Sequence, residues 1–355
     1  MEIEIKEALE RTDLVYIDVR SPEEYQNASI PGAINIPIFD DREHHQLGLI
    51  YHHVGEKEAR LTALDMVAPK LPSLVEAILK AAGSKTPLLY CYRGGMRSLS
   101  IYEVLRLTGI DVFRLKKGYK AYRKFINNKL ANYSLNSKLY VLHGLTGVGK
   151  TTVLKNLELK DCPVIDLEEL AGHRGSVFGA VGNIRERSQK DFDALLLRQL
   201  DRFKNENVVF IEGEGRRIGN VYLPAFLGKA MDNGFQILLT ASLEKRIERI
   251  LQTYIPKKVP ARLKIQLEAA INSLRNRLGG QKTDTLLAKL KQEHYYSVAE
   301  ILCTDYYDLF YKDSKPESTK FDTVIDAEDL DHAATTVAEY YKTKNHRNLE
   351  PQLPN

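Results

Sequence analysis

The stretch "LYVLHGLTGVGKTT", residues 139–152, decides the fold of the second half of the chain. Its apolar start predicts a buried strand, and the turn that follows matches GxxxxGK[ST] in full. A strand, a glycine-rich turn and a helix in this order form a P-loop, whose backbone N–H groups wrap a diphosphate. We expect Lys150 to reach the outer oxygens and Thr151 to be placed as a ligand for Mg²⁺. The predicted diphosphate-binding residues are Gly144, Thr146, Gly147, Gly149, Lys150, Thr151 and Thr152.

The P-loop pattern indicates a diphosphate but does not indicate a base. A nucleotide is the usual ligand, yet any organic diphosphate presents the same oxygens to the loop. A base-reading NKxD motif is absent from the sequence. The identity of the diphosphate therefore stays open on the motif alone.

A second glycine-rich turn, "YCYRGGMRS" at residues 90–98, follows another apolar run. Its backbone N–H groups and the start of the next helix can form an anion-binding nest. Gly94 and Gly95 permit the backbone angles of such a loop, while Arg93 and Arg97 add positive charge. In that field Cys91 is expected to act as a thiolate nucleophile. The alternative is a buried core cysteine at a strand end.

Length and composition predict an ordinary globular protein with two domains. The chain has 355 residues, of which 43% are hydrophobic and 28% charged, and its net charge is +4. Three cysteines occur without a CxxC or Cys/His cluster, so neither zinc nor a disulfide framework is expected, and Cys162 and Cys303 are interpreted as structural. The first residues do not resemble a signal peptide, and no apolar stretch is long enough for a bilayer. We therefore expect a cytoplasmic protein without a membrane partner.

Short apolar runs alternate with amphipathic segments throughout both halves, which predicts an α/β fold with parallel sheets. The predicted strands are 14–19, 87–92, 139–144, 162–167, 207–214, 235–241 and 321–326. A long, basic and mostly helical region lies between the last two strands. The predicted boundaries are a first domain at 1–127, a linker at 128–138, a P-loop NTPase-like domain at 139–342 and a disordered tail at 343–355.

Charged residues also follow two predicted strands of the second domain, in "DLEELAGHRGSVFG" (166–179) and "EGEGRRIG" (212–219). Ligands bind at the carboxyl ends of strands in open α/β sheets, so these loops predict a polyanion site there. Solvated loops and a surface acid at a strand end are the alternatives. The predicted polar site comprises Asp166, Glu168, His173, Arg174, Ser176, Glu212, Glu214, Arg216 and Arg217.

The first domain resembles the rhodanese family, through "IDVRSPEEY" (17–25), "IPGAINIP" (30–37) and the cysteine loop that follows. The resemblance implies that Cys91 accepts a sulfur-group atom as a persulfide-type intermediate. Asp18 and Arg20 match the Asp-x-Arg of the family and are interpreted as bracing the loop. Ser29 stands where a histidine is frequent. Five residues separate Cys91 from Arg97, one more than in most single-turnover rhodaneses, and this C-x5-R spacing also occurs in cysteine phosphatases.

The whole pattern resembles one family, the tRNA 2-selenouridine synthases. Its marks are "GLTGVGKT" (144–151), "DLEELAGHRGSVFG" (166–179) and an acid-rich strand end followed by "RRIG" (216–219), all in this order. The resemblance implies an enzyme that acts on tRNA with 2-thiouridine at the wobble position, and we expect the protein to be a monomer. It implies S-geranylation from geranyl diphosphate and then replacement by selenium from selenophosphate through a Cys91 perselenide.

The resemblance also assigns roles to residues. The selenophosphate loop would comprise Asp18, Arg20, Arg93, Gly94, Gly95, Arg97 and Ser98 around Cys91. Our own hypothesis is that geranyl diphosphate lies in the P-loop, with Mg²⁺ on Thr151, because it is an organic diphosphate and the loop has no base-reading motif beside it. Basic residues in two segments are the candidates for tRNA contact, with a solvated helix face as the alternative. These candidates are Lys120, Arg123, Lys124, Lys257, Lys258, Arg262, Lys264, Arg275 and Arg277.

Two rival interpretations remain on the sequence. One is a C-x5-R cysteine phosphatase, or a sulfurtransferase, fused to an ATPase. The other is a non-catalytic regulator that binds tRNA or a nucleotide, which would not need two intact anion-binding loops.

Overall fold

The computed structural model describes residues 1–174, 178, 186–309 and 320–347, with side chains as far as residue 342. These residues form two compact units, which are described separately. Unit 1 contains Met1–Tyr133 together with Ser188–Arg198, and unit 2 contains the rest of the chain from Ser134 onward.

Unit 1 is built on a five-stranded parallel sheet. Its strands are β1 (Glu2–Ile3), β2 (Leu14–Asp18), β3 (Ile34–Asn35), β4 (Thr86–Tyr90) and β5 (Phe113–Leu115). The spatial order is β1-β5-β4-β2-β3, so β4 is the central strand. Its register pairs Leu88 with Tyr16 of β2 and with Phe113 of β5. The central strand is therefore the one that leads into the cysteine loop.

Helices cover this sheet. They are α1 (Ile5–Glu10), α2 (Pro22–Asn27), α3 (Asp41–His53), α4 (Glu56–Val67), α5 (Leu71–Ala82), α6 (Met96–Leu107) and α7 (Gly118–Ala131), with a 3-10 turn at Ala68–Lys70. Capping boxes start two of them, because Ser21 pairs with Glu24 at α2 and Asp40 pairs with Glu43 at α3. The apolar side chains of β2, β4, α5 and α6 form the core of the unit.

Unit 2 is built on a second five-stranded parallel sheet. Its strands are β6 (Lys138–His143), β7 (Val164–Ile165), β8 (Val208–Glu212), β11 (Phe235–Thr240) and β12 (Thr323–Asp326), and a small antiparallel hairpin comprises β9 (Arg217–Ile218) and β10 (Val221–Tyr222). The spatial order β12-β11-β6-β8-β7 makes β6 the central strand. The P-loop therefore follows the central strand of its sheet, as the cysteine loop does in unit 1.

The helices of unit 2 fall into two groups. Those near the sheet are α8 (Lys150–Glu158), α9 (Leu167–Ala171), α11 (Ala225–Asp232) and α17 (Leu330–Arg347). Helix α10 (Gln189–Arg202) is divided between the units, because its residues up to Arg198 belong to unit 1. The others are α12 (Leu243–Tyr254), α13 (Ala261–Ser273), α14 (Arg275–Leu278), α15 (Gly280–Lys291) and α16 (Tyr295–Leu302), followed by a π-helical turn at Cys303–Tyr307. Helices α13, α15 and α16 share a second apolar core of their own.

The predicted α/β class with parallel sheets is confirmed, and the helical basic region lies where it was expected. The linker was predicted at residues 128–138, but α7 continues to Ala131 and β6 begins at Lys138, so the connection between them is shorter than predicted. Residues 188–198, which fell inside the predicted P-loop domain, group with unit 1. In the predicted tail, α17 extends to Arg347, and residues 348–355 lie outside the described residues. None of the described helices combines the length and the apolar character that crossing a membrane requires.

Gly118 holds the end of the central strand against α7, and its replacement by alanine tests this contact. Its φ is +54°, and a Cβ there would overlap the carbonyl oxygen of Cys91 and the N–H of Gly94. Gly109 also has positive φ, at +78°, but a Cβ there would meet open space, so Gly109→Ala is the matched control. We expect Gly118→Ala to lose roughly 2 kcal/mol or more beyond the loss in Gly109→Ala, measured by urea unfolding. Equal losses in the two variants would contradict the proposed crowding.

Candidate active sites

Cys91 lies directly after the central strand β4 and is 3% exposed. Its Sγ atom is 3.3 Å from the hydroxyl of Ser98 and 3.9 Å from the carbonyl oxygen of Gly95. Ser98 is buried in the first turn of α6, so its hydroxyl can donate a hydrogen bond to a thiolate. The sulfur atom therefore faces the start of a helix, where partial positive charge favours an anion.

Backbone contacts fix the cysteine loop from the opposite side. The N–H of Tyr119 donates to the carbonyl of Cys91 at 2.9 Å, and the N–H of Lys120 donates to that of Tyr92 at 2.9 Å. Arg114 on β5 donates from Nη1 to the carbonyl of Gly94 at 2.6 Å. The sequence did not predict that Arg114, Gly118 and Tyr119 contribute to the site. Each of them contacts only the backbone of the loop, and such contacts leave no motif in the sequence.

Asp18 and Arg20 form a buried ion pair beside the loop. Arg20 donates from Nε to Oδ1 at 2.9 Å and from Nη2 to Oδ2 at 2.6 Å. The same Nη2 donates to the carbonyl of Ala28 at 2.7 Å, and the guanidinium carbon lies 4.2 Å from the ring centroid of Tyr119. The pair therefore supports the segment whose N–H groups hold Cys91 and Tyr92.

The two arginines of the cysteine loop differ in their surroundings. Arg97 forms an ion pair with Glu24 of α2, through both of its terminal nitrogens. Burial alone would raise the pKa of Glu24, but the hydrogen bond and charge of Arg97 hold that pKa below its ordinary value. Arg93 is exposed, and within the described part of the chain it forms no ion pair. The positive charge of Arg97 is thus balanced within unit 1.

In unit 2 the P-loop packs tightly against α12. Gly147 has φ of +83°, and a Cβ there would lie 2.7 Å from the carbonyl of Arg246 and 2.9 Å from Cδ1 of Ile250. Gly144 and Gly149 also have positive φ, of 151° and 100°. The Nζ atom of Lys150 donates to the carbonyl of Gly144 at 3.3 Å, which holds the lysine against the loop.

Two arginines of α12 brace the P-loop backbone. Arg246 donates from Nε to the carbonyl of Thr146 at 2.9 Å, and Arg249 donates from Nη1 to that of Val148 at 2.8 Å. Arg246 is 3% exposed and also pairs with Asp308, at 2.6 and 3.0 Å. The sequence did not indicate that these arginines contact the P-loop; their positions three residues apart on one helix were the available signal.

Acidic residues converge on Thr151 at the start of α8. The Thr151 hydroxyl lies 3.2 Å from Oε2 of Glu168 and 3.1 Å from Oε1 of Glu212, and the N–H of Glu168 donates to Oε2 of Glu212 at 3.2 Å. Lys150 lies 3.8 Å from Glu214. Burial, and then the charge of Glu214, raises the pKa of Glu168 to about 8. Burial together with the charge of Glu168 raises the pKa of the fully buried Glu212 well above its ordinary value.

This arrangement fits a cation that is completed by a ligand. Thr151, Glu168 and Glu212 supply only oxygen atoms, which Mg²⁺ prefers, and a cation would relieve the repulsion between the two carboxylates. Among the described residues, no group of three or more His, Cys, Asp and Glu side chains forms a metal site by itself. A Mg²⁺ ion here would therefore need further oxygens, which the phosphates of a bound diphosphate supply.

The remaining predicted residues of the 166–179 segment surround α9. Asp166 accepts a hydrogen bond from the N–H of Glu169 at 2.7 Å and so caps this helix. The N–H of His173 donates to the carbonyl of Glu168 at 3.0 Å, and burial lowers the pKa of the His173 imidazole. The guanidinium of Arg174 lies 5.2 Å from the ring centroid of Tyr254. Ser176 lies outside the described residues.

Arg216 and Arg217 are each engaged within unit 2. Arg216 forms an ion pair with Asp232 of α11, and Arg217 donates from Nε to the carbonyl of Gly219 at 2.8 Å. Thr152 is exposed on α8, on the chain beside Thr151. The structure therefore brings Lys150, Thr151 and the acids together, whereas the two arginines face other partners.

The nine candidate residues for tRNA contact divide into two groups. Four have partners: Arg123 with Asp193, Lys264 with Glu293, Arg275 with Asp284 and Arg277 with the Tyr306 hydroxyl. The other five are exposed, and none of them forms an ion pair with a described residue. These five are Lys120, Lys124, Lys257, Lys258 and Arg262.

Unit 1 carries a buried thiol in the loop after its central strand, and unit 2 carries a P-loop after its own central strand. These features define a class of two-domain enzyme in which a rhodanese-like domain precedes a P-loop domain. Residues 2–125 match the family model of the rhodanese-like domain, and residues 137–347 match that of the tRNA 2-selenouridine synthase AAA domain. The chain belongs to the tRNA 2-selenouridine synthase family, as the order of its motifs predicted.

Curated relatives support this assignment. The tRNA 2-selenouridine synthase of Cupriavidus pinatubonensis is 32% identical over 323 residues, which cover 83% of this chain and 87% of the relative. That of Sulfurovum sp. is 33% identical over 326 residues, again covering 83% and 87%. A solved structure, the N-terminal domain of a putative ATP/GTP binding protein from Clostridium difficile 630, is 38% identical. It covers 36% of this chain and 98% of its own, with a TM-score of 0.35.

The raised pKa of Glu168 predicts a pH-dependent stability that Glu168→Gln should reduce. The folded state holds this proton more tightly than the unfolded state, whose carboxyl titrates near 4.5. The stabilising effect is therefore complete below that pH and is lost as the pH rises to about 8. We expect the wild type to lose on the order of 1–3 kcal/mol more than Glu168→Gln across this window.

Urea unfolding without Mg²⁺, at both ends of the window, measures this difference. Glu169→Gln, which removes an exposed carboxyl from the same helix, is the matched control. The expectation fails if Glu168→Gln and Glu169→Gln show the same dependence on pH.

Proposed function

We propose that this protein is a transferase that converts 2-thiouridine at the wobble position of tRNA into 2-selenouridine in two steps. The P-loop of unit 2 binds geranyl diphosphate, which alkylates the sulfur. The cysteine loop of unit 1 handles selenophosphate, whose selenium replaces the S-geranyl group through Cys91. The observation that carries the proposal is the pair of anion-binding loops, each after the central strand of its own sheet, with a buried thiol in only one of them.

In the first step the sulfur of 2-thiouridine attacks C1 of geranyl diphosphate. The S–C bond forms, the C1–O bond breaks with its electron pair on diphosphate, and the base loses its N3 proton. Lys150 and the P-loop N–H groups would stabilise the departing diphosphate. Mg²⁺, held by Thr151 and the acids beside it, would neutralise further phosphate charge when bound. Alkylation makes the sulfur a thiol leaving group, which prepares C2 for substitution.

In the second step the Cys91 thiolate first exchanges with a small disulfide, which forms an S–S bond to Cys91 and releases one thiol. Water attacks the phosphorus of selenophosphate, so the Se–P bond breaks with its electrons on selenium and phosphate leaves. The selenide attacks the Cys91 sulfur, which forms the S–Se bond of the perselenide and releases a second thiol. The perselenide then attacks C2 and displaces geranyl thiol. A selenenyl sulfide to Cys91 results, so an added thiol reductant completes the release of 2-selenouridine. The Ser98 hydroxyl, 3.3 Å from the sulfur, supports the thiolate, and the start of α6 together with Arg93 supports the anionic donor.

Two substitutions separate the steps, because each removes one loop's chemistry. Lys150→Ala should lower the yield of geranylated nucleoside by roughly a hundredfold or more, since a donor to the leaving diphosphate is lost. Cys91→Ser should retain geranylation and lose selenation. The measurement incubates each protein with 2-thiouridine tRNA, both donors, Mg²⁺ and a thiol together with its disulfide, omits one donor at a time, and analyses nucleosides by mass.

Two results would contradict this assignment. One is a Lys150→Ala protein that geranylates normally but no longer selenates. The other is the absence of geranyl and seleno products from the wild type under every condition. The intact mass of the wild type with selenophosphate adds a check on Cys91, since the isotope pattern of selenium distinguishes a perselenide from a phosphoryl adduct of similar mass. Release of phosphate from an aryl phosphate, abolished by Cys91→Ser, would favour the C-x5-R phosphatase alternative.

The tRNA would contact the exposed lysine and arginine side chains that have no ion-pair partner among the described residues. Lys257 and Lys258 lie between α12 and α13, close to Arg262 in the sequence, and these three side chains can neutralise phosphates without first breaking an ion pair. The paired residues would have to exchange an acidic partner for a phosphate. A monomeric state and a cytoplasmic location complete the proposal.

Reversal of charge at Lys257 and Lys258 tests this surface. The double variant Lys257→Glu/Lys258→Glu should bind 2-thiouridine tRNA about tenfold more weakly at low salt. Its slope of log affinity against log salt concentration should be smaller by about 1–2. Filter binding over a salt series measures both, with Lys80→Glu/Lys85→Glu, two exposed lysines of unit 1, as the control of equal charge change. Unchanged affinity and slope in the first variant would exclude this surface from tRNA contact.

A further inference from the structure

An apolar cavity lies beside the P-loop within unit 2. Its empty space, including the part that opens to solvent, is about 570 Å³. The walls come from α12, α13, α15, α16 and the π-helical turn, through mainly aliphatic and aromatic side chains. Residues that define it include Thr146, Ile250, Tyr254, Leu267, Ala299 and Cys303.

The cavity and the P-loop share a wall. Thr146 belongs to the P-loop and also lines the cavity. The next residue, Gly147, approaches the side chain of Ile250 so closely that a Cβ would lie 2.9 Å from its Cδ1 atom, and Ile250 lines the cavity. A ligand whose diphosphate lies in the P-loop therefore has an apolar space next to it.

The chemistry of the lining favours a hydrocarbon over a base. A base needs several placed donors and acceptors, whereas the walls offer leucine, isoleucine, valine and alanine side chains with a few tyrosines. The thiol of Cys303 is fully buried, and burial raises its pKa to about 11, so it adds no charge. Cys303 and Tyr307 are the first and last residues of the π-helical turn, a distortion that is frequent at functional sites.

We propose that this cavity binds the hydrocarbon chain of a prenyl diphosphate whose diphosphate group lies in the P-loop. The inference rests on the proposed function, which places an organic diphosphate in that loop, and it adds the residues that select the chain. Apolar burial makes affinity increase with chain length until the cavity is full. The cavity would thereby favour geranyl diphosphate over inorganic diphosphate and over a five-carbon prenyl diphosphate.

Ala299 offers a direct test, because it lies on α16, lines the cavity and is almost fully buried. Ala299→Phe fills the space that the chain would occupy, and Ala299→Leu does so with less risk to folding. Ala269→Phe makes the same change on an exposed face of α13 and is the matched control. Titration calorimetry measures binding of geranyl S-thiolodiphosphate, which resists loss of diphosphate, and of inorganic diphosphate, both with Mg²⁺.

The expected result is at least about a tenfold weaker binding of the geranyl analogue in Ala299→Phe, with a smaller loss in Ala299→Leu and none in Ala269→Phe. Binding of inorganic diphosphate should stay unchanged in all three. The inference is overturned if folded Ala299→Phe and Ala299→Leu bind the geranyl analogue as the wild type does. It is also overturned if the wild type binds the analogue no more tightly than inorganic diphosphate. Geranylation of tRNA by the wild type would in either case leave the proposed function standing.

Discussion

Close approach of backbone to backbone at the end of a central strand is the constraint on which both sites depend. Gly118 brings α7 against the carbonyl of Cys91, and Gly147 brings the P-loop against α12, at positions where a side chain would overlap neighbouring atoms. Each loop leads directly into the start of a helix, where an anion is favoured. The two units thus reach the same physical solution with different sequences.

The loops differ in how charge is balanced around them. In unit 1 the Arg97–Glu24 pair and the buried Asp18–Arg20 pair balance their own charges beside the thiol, and Arg93 is the loop arginine without an ion pair among the described residues. In unit 2 two buried carboxyl groups with raised pKa values converge on Thr151. A cation would relieve the repulsion between them, and the phosphates of a bound ligand would complete the coordination of that cation. One loop is suited to a reactive sulfur, and the other to a diphosphate with its metal ion.

The sequence was sufficient for the architecture and for the motif residues, because strand periodicity, glycine spacing and the order of motifs are local signals. The resemblance to rhodaneses implied that Asp18 and Arg20 brace the cysteine loop, but the sequence did not predict what braces the P-loop. Arg246 and Arg249 lie in the long basic region that the sequence indicated, yet they donate to P-loop carbonyls that are 100 and 101 residues away in the sequence. Composition reports a charge but not its partner, and for the same reason the pairing of Arg97 with Glu24 was not predicted.

The nature of the P-loop ligand is the central claim, since the motif alone accommodates a nucleotide or another diphosphate. Competition between geranyl diphosphate and ATP or GTP for the wild-type protein, with Mg²⁺ present, tests it most directly. The account predicts that geranyl diphosphate binds, that inorganic diphosphate displaces it, and that neither nucleotide competes at similar concentration. A nucleotide that binds more tightly than geranyl diphosphate, and is hydrolysed when tRNA is added, would contradict the account.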